Sequence, residues 1–134
     1  MAFIPCNIGG GGGMTQTTLW TNTASTSAFS SQTVTLSDSI ANYDYIGVKY
    51  RASTSSSTRS TEVLFVSNDL KSASTSYSNT VFPCFCAYSS SAYWARYITF
   101  STNTKLSISS AGKIGAASSD TTKAIPLYIY GYKL

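Results

Sequence analysis

Apolar and polar side chains alternate with a period of two along most of this chain. The clearest run is residues 45–51, where Ile46, Val48 and Tyr50 point one way and Lys49 and Arg51 the other. That is the spacing of a half-buried strand. Tyr93, Ala95, Tyr97 and Thr99 alternate in the same way with Trp94, Arg96, Ile98 and Phe100. Val63-Leu64-Phe65-Val66 is apolar on both faces, the pattern of a central strand covered on both sides. Strands are predicted over residues 17–21, 32–37, 45–51, 61–67, 80–88, 93–101, 105–109 and 126–133, with Ser-, Thr-, Asn- and Gly-rich turns between them. Residues 52–60 and 68–79 read as the two long loops, and Gly112 to Gly115 as a turn before the last strand. No segment carries a 3.6-residue stripe.

Short strands at this spacing predict an all-β fold. The expectation is an antiparallel β-sandwich, jelly-roll-like, of about eight strands, with a short extended N-terminal peptide and no helix longer than two turns. Ile46, Val48, Tyr50, Val63, Phe65, Ile98 and Phe100 are the expected core, with Trp20 joining it from the first strand.

Composition changes the picture by what it removes. The chain has 134 residues and no histidine, which excludes Ser-His-Asp and Cys-His nucleophile pairs and His-ligated zinc. Its five carboxylates are Asp38, Asp44, Glu62, Asp69 and Asp120, and no close pair among them suggests the facing carboxylates of a glycosidase. Asp38 and Asp44 flank one loop but are too few for a cation that takes ~6–8 oxygen ligands. No cofactor or metal is expected, and the chain does not read as an enzyme. Ser and Thr fill 43 of the 134 positions while charged residues make up only 10 %. Average soluble proteins carry roughly 25 % charge, so the surface is hydroxylated and nearly uncharged, a profile common on extracellular and virion proteins.

The net charge of +4 comes from nine basic residues scattered singly, which is not the clustered footprint of a nucleic-acid binder. No apolar run approaches the ~18 residues of a membrane span. Cys6, Cys84 and Cys86 cannot all pair within one chain. Cys84 and Cys86 share one strand face and are expected as reduced, unligated thiols.

Two features are left to carry function. Residues 1–14 hold an apolar peptide and five consecutive glycines, Gly9 to Gly13. Phe3, Ile4, Pro5 and Ile8 make this segment an attachment or assembly peptide, distinct from a body at residues 15–134. The second feature is a set of aromatic residues at or beside predicted loops, Tyr77, Tyr88, Tyr93 and Trp94. Their rings are candidate glycan contacts, because an aromatic face packs against the apolar face of a sugar.

Over about residues 19–133 the chain resembles small all-β domains of bacteriophage and prophage structural proteins. The resemblance rests on Leu19-Trp20-Thr21-Asn22 followed by a Ser/Thr/Ala stretch to Phe29, and on Gln32-Thr33-Val34-Thr35-Leu36. It continues through Tyr43-Asp44-Tyr45-Ile46-Gly47-Val48-Lys49-Tyr50-Arg51 and Ile125-Pro126-Leu127-Tyr128-Ile129-Tyr130-Gly131-Tyr132-Lys133. These motifs are strands, and no catalytic or binding residue carries over. The resemblance implies a virion component, commonly trimeric, made in the host bacterial cytoplasm and exposed after lysis. The short head before the domain departs from long fibre proteins and favours a small head-fibre, decoration or tail-fibre accessory subunit. Its implied partners are further copies of itself, other virion proteins and a host cell-surface glycan, with neither nucleic acid nor membrane insertion. The alternative is a lectin-like carbohydrate-binding module.

Overall fold

A computed structural model of the chain describes residues 13–55, 59–73 and 83–134. In chain order the strands are β1 (Thr15–Thr21), β2 (Gln32–Thr35), β3 (Tyr45–Ser53), β4 (Ser60–Val66), β5 (Cys84–Ser89), β6 (Ala92–Thr102), β7 (Lys105–Ile108), β8 (Gly112–Lys113) and β9 (Lys123–Lys133). A 3-10 turn at Ile40–Asn42 precedes β3, and a helix, α1 (Ser67–Ala73), follows β4. Two antiparallel sheets face each other. One has the order β1-β9-β3-β4 and the other β2-β7-β6-β5, with β8 paired to β6. The β1–β9 and β2–β7 pairs join distant parts of the chain, as in a jelly roll, whereas β3–β4 and β5–β6 are local hairpins.

The two inner faces meet in a core of branched and aromatic side chains. Ile46 and Val48 of β3 and Ile125 and Ile129 of β9 come from one sheet. Phe85, Ile98, Phe100, Leu106 and Ile108 come from the other. Tyr50 links the sheets: its ring lies 4.8 Å from Phe85, and its hydroxyl donates to the Cys86 carbonyl at 2.8 Å. Burying such side chains contributes about 1.5–3 kcal/mol each, which is why the period-two pattern is so regular on β3 and β6.

Several expectations need correction. Val63 and Phe65 are only half-buried, because β4 is an edge strand rather than a central one. Val66, on that edge, is exposed. Ser67, expected to end a strand, and residues 68–73, expected as loop, form α1, which buries Leu70. A seven-residue helix is too short to show a periodic stripe. The expected turn at Gly112 opens with β8, and the last strand begins three residues early, at Lys123 rather than 126. Trp20 is half-buried, its ring meeting Phe29 edge-on at 6.0 Å. Residues 1–12, including Phe3, Ile4, Pro5, Cys6 and Ile8, lie outside the described residues, as do Tyr77 and the expected strand start at residue 80.

The β5–β6 hairpin closes in two residues, Ser90 and Ser91, between the paired Ser89 and Ala92. Both serines have positive φ, 53° and 64°. This left-handed pair suits Asn-Gly, and a Cβ there is strained. Ser91→Gly is therefore expected to stabilise the domain by about 0.5–1 kcal/mol. A calorimetric melt should show Tm rising by a few degrees, and a lower Tm would refute the strain argument.

Candidate binding surface

Strand alternation decides what β5 and β6 show to solvent. On β6, Trp94, Arg96, Ile98 and Phe100 face inward, so Tyr93, Ala95 and Tyr97 face outward. On β5, Phe85 and Ala87 face inward, leaving Cys84, Cys86 and Tyr88 outside. The register sets Tyr88 against Tyr93, Cys86 against Ala95 and Cys84 against Tyr97. Tyr88 and Tyr93 form an edge-to-face pair with centroids 4.9 Å apart. Just past β8, the Ile114 N–H donates to the Tyr93 carbonyl at 2.9 Å, which brings Ile114 alongside.

The exposure of this cluster is unusual for large side chains. Tyr88 is 59 % exposed, Tyr93 57 %, Tyr97 51 % and Ile114 59 %. The rest of the same outer face is built differently. Around β2, β7 and the second half of β6 it presents Thr33, Thr35, Thr99, Ser101 and Ser107, with Lys105 at the start of β7. One half of the sheet is therefore hydroxylated and the other aromatic. No charged residue sits among the six outward positions of β5 and β6 listed above. Four large exposed side chains on one face of a hydroxyl-rich domain mark a candidate interaction surface.

Of the four aromatic residues expected to contact glycan, Tyr88 and Tyr93 come together here. Trp94 does not. It is 8 % exposed, packs in the core and donates its indole N–H to the Ser89 carbonyl at 3.0 Å. The two-residue hairpin starts β6 at Ala92, so Trp94 already lies inside the sheet. Tyr97 and Ile114 were missed, although Tyr97 shares the parity of Tyr93 in the sequence. Cys84 and Cys86 are free thiols on this face. Burial, then the neighbouring Cys84, pushes the Cys86 thiol above its ordinary pKa, which keeps it protonated and sluggish as a nucleophile.

The outer face of the other sheet carries a second aromatic row. Tyr128 stacks on Tyr130 at 5.4 Å, and Tyr130 meets Tyr132 at 6.2 Å. The Tyr132 hydroxyl donates to the Glu62 carboxylate and accepts from the Gln16 amide at 2.9 Å. Burial first, and the Glu62 bond second, raise the Tyr132 pKa strongly. Gly47 leaves room for this contact, since a Cβ there would meet the Glu62 carboxylate and the Tyr132 ring.

Three other acids, Asp38, Asp44 and Asp120, are also engaged. Asp38 accepts from Tyr43 at 2.9 Å, from Asn42 at 2.9 Å and from the Ser39 N–H at 2.8 Å, and these bonds hold its pKa below the usual carboxylate range. Asp44 accepts from the Leu134 N–H at 2.8 Å, and Asp120 accepts from the Thr122 hydroxyl and N–H. Asp38 and Asp44 therefore act as local braces in the described structure. No protein-family model matches the chain, and no curated protein matches it either.

Proposed function

We propose that this chain is a non-enzymatic structural subunit of a bacteriophage virion. In this reading residues 1–14 attach it to the particle, further copies complete a homo-oligomer, a trimer for preference, and the Tyr88–Tyr93–Tyr97 face points outward. The observation that carries the reading is the divided outer face, aromatic on one half and hydroxylated on the other. Tyrosine rings offer flat apolar area, and their hydroxyls offer hydrogen bonds at the rim. The lack of charge at the outward positions of β5 and β6 suits a neutral saccharide of the host surface. Resemblance to phage structural domains supports the virion setting, and the structural use of Asp38, Glu62 and Asp120 supports a binding role over hydrolysis.

Purified chain should bind neutral host-wall glycans on an array, and Tyr88→Ala/Tyr93→Ala should weaken that binding at least about tenfold, the equivalent of about 1.4 kcal/mol. Deleting residues 1–14 should leave glycan binding intact and abolish incorporation into particles. Undiminished binding by the double variant would remove the ridge as the contact. Full incorporation by the truncated chain would remove the attachment role. A lectin-like module acting alone uses the same face, and its absence from fractionated particles would favour that reading.

A further inference from the structure

The outer face of the first sheet ends in a hollow of about 230 Å³ lined by Asn22, Ser25, Arg51, Ser60, Leu127 and Tyr128. It belongs to the opposite sheet from the tyrosine ridge and plays no part in the function proposed above. Strand pairing sets Arg51 opposite Ser60, and Tyr128 beside Lys49. The segment after β1 forms one wall and is well fastened. The Asn22 N–H donates to the Leu127 carbonyl at 2.9 Å, and its side-chain amide donates to the Pro126 carbonyl at 2.8 Å. Its side-chain oxygen accepts from the Ala24 N–H at 2.9 Å.

Arg51 is the unusual member. One terminal nitrogen donates to the Ser25 carbonyl at 2.6 Å. Its Nε is buried without a hydrogen-bond partner among the described residues. Asp38, Asp44, Glu62 and Asp120 all accept hydrogen bonds from other groups. A guanidinium has five N–H donors in a planar fork that matches an oxyanion, and among the described residues Ser25 is the one acceptor seen for it. Lys49, two residues earlier on the same strand face, is set opposite Glu62 by the β3–β4 register, so Arg51 supplies the positive charge of the hollow. The Tyr128 ring is held in place by its stack on Tyr130.

We propose that this hollow binds an oxyanion carried on a small sugar or polyol, with Arg51 gripping a carboxylate or phosphate and Tyr128 packing against the carbon skeleton. The volume lies below the ~300 Å³ at which drug-sized pockets begin, so the site takes one sugar-sized unit. Entry of the anion draws the guanidinium fork toward it and gives the Nε–H an acceptor. Ser60, also in the lining, can meet a hydroxyl of the ligand.

The test titrates the full chain with glucuronate, glucose 6-phosphate and glucose, followed by NMR shifts of the Arg51 and Tyr128 side chains. Saturable shifts are expected with at least one anion, and none with glucose, at concentrations on the order of 10 mM. A response to glucuronate alone assigns a carboxylate ligand, to glucose 6-phosphate alone a phosphate, and to both a site that reads the oxyanion whatever carries it. Arg51→Gln should lower affinity at least about tenfold with an unchanged melt, and Arg51→Lys, which keeps the charge without the fork, should fall between. Tyr88→Ala/Tyr93→Ala should bind these anions like the parent chain, so failure here is distinguishable from failure of the ridge. Glucose binding as well as glucuronate, full binding by Arg51→Gln, or silence with both anions would overturn the proposal.

Discussion

Arg96→Met should destabilise the domain by about 3–5 kcal/mol, the largest single-residue effect expected in the body. Arg96 is fully buried on the inner face of β6, and no carboxylate among the described residues is hydrogen-bonded to it. Carbonyl oxygens satisfy its charge instead. Nε donates to Ala124 at 2.7 Å and to Lys123 at 3.2 Å. The terminal nitrogens reach Ser109 at 2.9 Å, Lys123 at 2.9 Å and Thr121 at 3.1 Å. The guanidinium also lies over the Phe29 ring, 5.2 Å from its centroid.

Burial lowers the Arg96 pKa to about 10, with Asp120 opposing that shift, so the side chain stays charged at neutral pH. Methionine fills similar space but leaves buried carbonyls unpaired, at about 1–3 kcal/mol each. The contacts tie β6 to the entry of β9, where Ala124 holds a positive φ of 47°, so that irregular backbone should loosen as well. Thermal melts should show Tm falling by on the order of 10 °C or more. Arg96→Lys should fall between, since one ammonium cannot span these acceptors. A methionine variant melting within a few degrees of the parent would show that the network adds little to stability.

Gly131→Ala should cost about 2–3 kcal/mol, and the cost should largely disappear when Tyr43 is also replaced by alanine. Gly131 is buried on β9 beneath the Tyr43 ring, and a Cβ there would lie 2.6 Å from ring carbons. The ring cannot retreat cheaply. Its hydroxyl donates to Asp38 at 2.9 Å, and that carboxylate is itself held by Ser39 and Asn42. Urea unfolding of both single variants and the double variant gives the coupling directly, provided the slopes agree. An equal cost of Gly131→Ala in both backgrounds would mean that the clash is absorbed elsewhere.

These two sites show how far the sequence could be followed. Alternation on residues 93–100 puts Arg96 on the same side as Trp94, Ile98 and Phe100, so its inward orientation is a local property. Its partners lie 13–28 residues further along the chain, and nothing in the spacing announces them. Tyr88 and Tyr93 carry a comparable lesson. Strand parity gives each ring a face, but a two-residue hairpin makes them neighbours and draws Trp94 inside. Tyr97 has the same parity but sits in mid-strand, far from any loop, so no local signal marks its ring as exposed.

The fold class, most strand positions and the sharing of a face by particular side chains are legible along the chain. Those follow from the two-residue repeat of an extended backbone, which is written locally. The order of strands comes from the packing of the whole domain. It placed the C-terminal β9 between β1 and β3, and it left the apolar run at Val63 to Val66 on an edge. Such pairings are chosen by the packing of one sheet on another, an interaction between residues far apart in the chain. The same non-local choice turned scattered tyrosines into an exposed ridge and set Arg51 beside Asn22 and Tyr128, because adjacency across strands depends on register, which single-strand periodicity does not contain.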